Sequence, residues 1–160
     1  ISDEIKKLYS NLPNNIKIIK PEDPISTYDL SKISNAILVY GTKAAIEFAC
    51  RGKHVIVSGE AWARNKKFTY DVSNKKEYYS LLSRLPFKKP LSKKKINLAR
   101  KYAYYLFFKR MIPIKYLQSI NHFGPYKVNV KNLSQLLPGQ DVGLDIICSG
   151  IINGSEFVYE

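Results

Sequence analysis

Apolar residues run in short uninterrupted blocks between residues 36 and 59, AILVYGTKAAIEFACRGKHVIVSG, with turn formers between them. Ala36-Ile37-Leu38-Val39-Tyr40 is uncharged and rich in β-formers, the pattern of a strand buried on both faces of a parallel sheet. Gly41 permits a sharp turn and a close approach by a ligand, and Thr42 is a good helix N-cap. Ala44 to Arg51 then reads as a helix with Ala45, Ile46 and Ala49 toward the sheet, and Gly52 stops it. His54-Val55-Ile56-Val57 is a second apolar run, closed by Ser58-Gly59. Two buried strands joined by a helix predict a right-handed βαβ unit.

The flanks extend this pattern. Residues 1–12 resemble the end of a helix, with Ile5, Leu8 and Leu12 on one face. Pro13-Asn14-Asn15 is a turn signal, and Ile16-Lys17-Ile18-Ile19 reads as a strand that Pro21-Glu22-Asp23-Pro24 breaks. Ser26 or Asp29 caps a short helix through Ile33. A loop from Glu60 to Asp71 leaves the carboxyl end of the second strand. Ser73 then caps a helix to about Leu85, with Tyr78, Leu81, Leu82 and Leu85 inward. Pro86 to Pro90 is the clearest linker signal, so the chain divides into residues 1–86, a partial Rossmann-like domain, and a basic extension, 87–160. Ser92 opens a long helix through about Met111, striped by Leu98, Ala99, Tyr102, Tyr105 and Leu106, and Pro113 ends it. Leu144 to Cys148 and Ile151-Ile152 are short apolar pieces. Asn153-Gly154 ahead of Glu156-Phe157-Val158-Tyr159 fits a hairpin turn. The expected fold class is α/β: a Rossmann-like parallel sheet flanked by helices, followed by a basic, mostly helical C-terminal extension.

Charge sharpens the division. The chain has 160 residues and a net charge of +13. Residues 78–140 hold no Asp or Glu and thirteen Lys or Arg, while the rest of the chain is balanced. The excess either meets an anionic partner or solvates itself. The aromatic, basic helix after Ser92 can lie on an anionic membrane surface, but a stripe of this kind more often packs on its own protein. No nucleic-acid recognition motif appears, so nucleic acid is not an expected partner. The start of the chain is charged and lacks the apolar core of a signal peptide, and no uncharged apolar run is long enough to span a membrane. The first residue is Ile, which reads as a fragment or a processed form. Cys50 and Cys148 read as small thiols in a reducing compartment, and His54 and His122 lack ligand spacing, so no metal is expected.

Candidate chemistry sits at the strand ends. Ligands of open α/β sheets bind beyond the carboxyl ends of the strands, here Tyr40-Gly41-Thr42 and Ser58-Gly59. The amides of Thr42, Lys43 and Ala44 at the helix start favour an anion. Glu47, five residues after Thr42, offers a carboxylate to a ribose diol. In the following loop, Arg64, Lys66 and Lys67 can neutralise phosphate, and Trp62, Phe68 and Tyr70 can cover a base or sugar. The same residues also fit an ordinary βα turn, a solvated glutamate and a solvated loop, and spacing alone does not choose between the readings.

The runs Leu12 to Ile19, Asp23-Pro24-Ile25-Ser26, Val39-Tyr40-Gly41-Thr42, Glu47, Gly52-Lys53, Val55-Ile56-Val57 and Phe68-Thr69-Tyr70-Asp71 resemble bacterial capsule and lipopolysaccharide polysaccharide-synthesis proteins. These are glycosyltransferases of the GT-B type, similar also to nucleotide-sugar 2-epimerases. The resemblance covers residues 10–85, with a less specific likeness at Ala103 to Pro113. It implies the C-terminal, donor-binding half of a GT-B fold. In that reading Gly41, Thr42 and the following amides of Lys43 and Ala44 hold the donor phosphates, and Glu47 binds the ribose. Ser26 and Gly59 line the pocket, and Arg64 or Lys66 with Tyr70 closes over the donor. Lys43 stands where the epimerases prefer glycine.

The implied function is donor binding in surface polysaccharide synthesis, with a CMP- or UDP-linked sugar as substrate and no cofactor. A glycan or lipid-linked acceptor and a preceding Rossmann-like half would complete the enzyme. Its implied place is the cytoplasm or the inner face of the cytoplasmic membrane. No His or carboxylate pair makes a catalytic centre, so the chain alone is expected to bind nucleotide weakly and turn nothing over. Two alternatives remain: an epimerase-like enzyme, and a non-enzymatic basic module for nucleic acid or acidic glycan.

Overall fold

A computed structural model describes residues 2–9, 11–121 and 124–160. Ile1, Ser10 and His122, which figure in the sequence readings above, lie outside the described residues. The order of elements is α1 (Ser2–Leu8), α2 (Thr27–Ile33), β1 (Ala36–Val39), α3 (Ala44–Cys50), β2 (His54–Val57), β3 (Tyr70–Asp71), α4 (Lys75–Leu82) and α5 (Lys93–Tyr104). A π-helical turn (Tyr105–Lys109) continues α5. A hairpin of β4 (Leu117–Ser119) and β5 (Tyr126–Val128), a 3-10 turn (Leu133–Leu136) and α6 (Val142–Asn153) complete the described chain.

The fold is mixed α/β, with a three-stranded parallel sheet of order β1-β2-β3 flanked by helices. Ala36 pairs with His54 and Val39 with Val57, while Ile56 and Val57 pair with Tyr70 and Asp71. All four residues of β2 are buried, which is why its run is uniformly apolar after His54. Val55 and Val57 face a cluster built from Ala45, Ile46, Phe48 and Ala49 of α3, Ala63, Phe68 and Ala99 of α5. Ile56 faces the other way, onto Val72 and Leu81. Helices therefore cover both faces of β2, with α3 and α5 on one side and α4 on the other. Ile46 has no exposed surface, and truncating such a side chain to alanine costs about 2–5 kcal/mol through lost burial and the cavity left behind.

Several expectations are corrected. Among the described residues the first strand is an edge strand, and it is not buried on both faces: Leu38 is 47% exposed. Residues 16–19 form no strand; Ile16 closes a turn onto Pro13 and its side chain is exposed. Asn74, not Ser73, caps α4, accepting from the Glu77 amide at 2.9 Å. Leu98 and Tyr105 are exposed; the inward face is Ala99, Tyr102, Ala103 and Leu106, at ordinary helical spacing, with Phe107 added in the π-helical turn. The apolar pieces after Gly143 are one helix, α6, and Gly154 is its left-handed C-cap at φ 69° rather than a hairpin turn.

Beyond residues 86–90, α5 packs on α3 and shares the core of the sheet unit. The later segments are stapled by Asp141. Its buried carboxylate accepts from the Lys115 amide at 2.8 Å and from the Gly143 amide at 2.9 Å, so it caps α6 and fixes the strand entering the hairpin. No described helix is long and apolar enough to cross a membrane.

Candidate functional site

The parallel sheet sets the geometry, because its three strands end on one side. There a cavity of about 340 Å³ is lined by Tyr40, Ser58, Val72, Ser73, Asn74, Lys75 and Tyr78. Tyr40 follows β1, Ser58 follows β2 and Val72 follows β3, so the crevice lies at the carboxyl ends, where open α/β sheets take ligands. Ser58 is held by its hydroxyl and amide on the Val39 carbonyl, at 3.1 and 2.9 Å.

Gly41 and Gly59 stand beside this crevice and are tightly packed. A Cβ on Gly41 would lie 2.5 Å from the Glu60 carbonyl oxygen. The close approach that glycine permits here is thus to the chain's own backbone. A Cβ on Gly59 would meet the Tyr40 ring at 2.7 Å. The Thr42 hydroxyl accepts from the Ala44 amide at 3.3 Å, so that donor is already engaged at the start of the seven-residue α3. The Lys43 ammonium lies 5.9 Å from the centre of the exposed Trp62 ring.

Glu47 and Ser26 are brought together through Tyr28. Ser26 caps α2 by accepting from the Tyr28 amide at 3.2 Å. The Tyr28 hydroxyl donates to Glu47 Oε2 at 2.5 Å. Arg51 stacks over the Tyr28 ring at 4.6 Å. The Glu47 hydrogen bond and negative charge, with some desolvation, push the Tyr28 phenol above its ordinary pKa, and Arg51 partly offsets this. Glu47 is thus an oriented, half-buried carboxylate whose Oε1 has no hydrogen-bond partner among the described residues.

The loop residues are placed apart. Arg64 is turned into the protein, with its side chain 14% exposed. It donates to the Val72 carbonyl at 3.1 Å, the Ser73 hydroxyl at 3.2 Å and the Gly59 carbonyl at 3.3 Å. Its guanidinium therefore ties the ends of β2 and β3 together under the crevice. Lys66 lies over the Tyr102 ring at 5.4 Å, on the α5 side. Tyr70 opens β3 level with Ile56, but its side chain reaches back to the start of β2, where its hydroxyl meets His54 Nδ1 at 3.1 Å and its ring stacks on Phe87. Tyr40 and Ser58 line the crevice at the strand ends that the sequence pointed to, while Ser73, Asn74, Lys75 and Tyr78 line it without having been named as site residues. For Asn74 a signal was present, since Asn three residues before Glu77 is a capping-box pattern.

A second and larger cavity, about 780 Å³, lies at the opposite, amino end of the sheet beside His54 and Tyr70. Among the described residues no cluster of three or more His, Cys, Asp or Glu could hold a metal ion.

Comparison with known proteins finds no matching family model, no matching curated protein and no matching solved structure.

Proposed function

We propose that this chain is the donor-binding half of a GT-B-type glycosyltransferase of surface polysaccharide synthesis, taking a CMP- or UDP-linked sugar. The observation that carries the reading is Glu47, a half-buried carboxylate fixed by Tyr28 on the helix that joins two parallel strands. A carboxylate in that place, with one oxygen uncommitted, suits a ribose diol. The crevice at the carboxyl ends, which Glu47 does not line, adjoins the turn into α3 through Tyr40 and is the room next to it. The order of motifs from Ser26 to Asp71 supports the same reading.

In this account Glu47 accepts from the ribose hydroxyls and Tyr28 keeps its carboxylate aimed. Gly41, Thr42 and Lys43 hold the donor phosphates, and Lys43 supplies positive charge as the sugar leaves. Ser26 acts by capping the helix that carries Tyr28. Arg64 shapes the crevice floor instead of touching the donor. The acceptor and the general base belong to a second half, so the isolated chain binds nucleotide and has no transferase rate.

A thermal-shift screen against CMP, UDP, GDP, CMP-Kdo and UDP-GlcNAc tests this, because a ligand that binds the folded state raises the melting point. One nucleotide family stabilises the wild type and fails to stabilise Glu47→Ala. No stabilisation by any of them would overturn the proposal. Release of free sugar from a donor without acceptor would favour an epimerase-like reaction instead.

A further inference from the structure

A cavity of about 780 Å³ lies away from the proposed donor crevice. Sharing no lining residue with the crevice at the carboxyl ends, it lies beside His54, where β2 begins. Arg84, Lys88, Lys89 and Lys95 line it together with His54, Tyr70 and Phe87, and no carboxylate lines it. Among the described residues the ion pairs are Lys32–Asp29 and Arg64–Glu60, so none of these four cations has an ion-pair partner.

The wall that carries the lysines is held in place. Asn35 clasps the Phe87 backbone from both sides, accepting from its amide at 2.7 Å and donating to its carbonyl at 3.0 Å. His54 Nε2 donates to the Lys89 carbonyl at 2.8 Å. That bond fixes the tautomer, so Nδ1 accepts from the Tyr70 hydroxyl at 3.1 Å. Phe87 stacks on Tyr70 with ring centres 5.0 Å apart and planes within 12°. Lys95 lies over the other partner of that stack, 4.6 Å from the centre of the Tyr70 ring. Lysines on a solvated loop would spread to lower their repulsion. Here these hydrogen bonds and the ring stacking hold the segment, and with it the backbone of Lys88 and Lys89, beside Arg84 and Lys95. The N-cap Ser92 lines the same cavity, so the positive end of the twelve-residue α5 adds to the field.

We propose that this cavity is a second anion site that takes a small, multiply charged phosphate anion of the pyrophosphate class. Several cations around one concave space suit several phosphate oxygens at once, and ammonium groups bind phosphate as point charges. The volume falls in the range of small-ligand pockets, about 300–1,000 Å³. The same chemistry exists on the headgroups of an anionic lipid surface, and the test separates the two sources.

Inorganic pyrophosphate is titrated calorimetrically into the full chain at low and at high salt, with inorganic phosphate as comparator. The expected result is one pyrophosphate per chain, bound more tightly than phosphate and weakened by salt. Lys88→Ala/Lys89→Ala weakens it about ten-fold or more, a loss of one decade in Kd, and so does Arg84→Ala. Glu47→Ala leaves it unchanged, so this result stands or falls apart from the donor crevice. The substituted side chains are exposed, and thermal melts confirm that the variants fold. Absence of saturable binding, or binding indifferent to both variants, overturns the proposal. So does capture by phosphatidylglycerol vesicles through the same lysines when free pyrophosphate neither binds nor competes.

Discussion

Arg64 offers the sharpest energetic test. Its guanidinium spans the ends of β2 and β3, with bonds of 3.1 Å to the Val72 carbonyl, 3.2 Å to Ser73 and 3.3 Å to the Gly59 carbonyl. A fourth contact, 3.5 Å to the Val57 carbonyl, adds little, because that oxygen already accepts from the Val72 amide at 3.1 Å. A hydrogen bond from a charged donor contributes about 1.5–3 kcal/mol. Water reaches the strand ends and replaces part of what is lost, and the 3.7 Å approach to the exposed Glu60 carboxylate contributes little. Arg64→Ala should therefore destabilise the fold by about 2–3 kcal/mol in total, well short of three full bonds. With a urea slope of about 2 kcal/mol/M, the unfolding midpoint falls by about 1 M at unchanged slope. Arg64→Lys keeps the charge but not the fork, and lands between the two. Lys66→Ala, whose solvent-facing cation lies 5.4 Å from the centre of the Tyr102 ring, stays near wild type. A midpoint for Arg64→Ala within about 0.2 M of wild type would refute the clamp.

Three further outcomes follow from the geometry. Tyr28 has its folded pKa raised, chiefly by Glu47, so it favours the folded state fully below its unfolded value of about 10, and that contribution fades as pH climbs through the folded value; Tyr28→Phe should flatten the alkaline loss of stability in urea titrations, and an unchanged pH profile would contradict the bond. Gly41→Ala places a methyl 2.5 Å from the Glu60 carbonyl and should cost about 1–3 kcal/mol in unfolding free energy, whereas a neutral result would show that the turn is loose. Burial pushes the Cys50 thiol up, with Arg100 partly opposing, so a thiol reagent at mildly alkaline pH should modify exposed Cys148 first and Cys50 slowly, as peptide mapping would show.

The unit from β1 to β2 was legible because its signals agree. Two uncharged runs, a small-residue helix face and a glycine stop at Gly52 all point to one arrangement. The caps Ser26 and Ser92 were legible for a similar reason, as hydroxyls placed before helical runs. The α6 segment was not. It is apolar nearly all round, so it carries no period to separate helix from strand, and Asn-Gly serves a helix end as readily as a hairpin. Asp141 before Val142 was a readable cap signal there. The hairpin at 117–128 escaped because its strands are three residues each and exposed. Residues 16–19 have the composition of a strand but join neither sheet, and composition alone does not decide which segment pairs.

The candidate site divides along the same line. Glu47 was singled out from its spacing and from the resemblance, but Tyr28, which orients its carboxylate, was invisible because the two lie nineteen residues apart. Arg64 and Tyr70 show the limit more plainly. A loop that leaves a strand's carboxyl end does not have to deliver its side chains there. Arg64 turns inward onto backbone carbonyls, and Tyr70 reaches the opposite end of the sheet.

The most direct test of the central claim is amide chemical-shift mapping of the labelled chain during titration with CMP and UDP. The account predicts that one of them shifts the amides of Thr42, Ala44, Glu47 and Ser58 saturably, and that Glu47→Ala abolishes the response. Shifts confined to His54, Lys89 and Lys95, or none in either titration, would contradict donor binding at the carboxyl ends of the sheet.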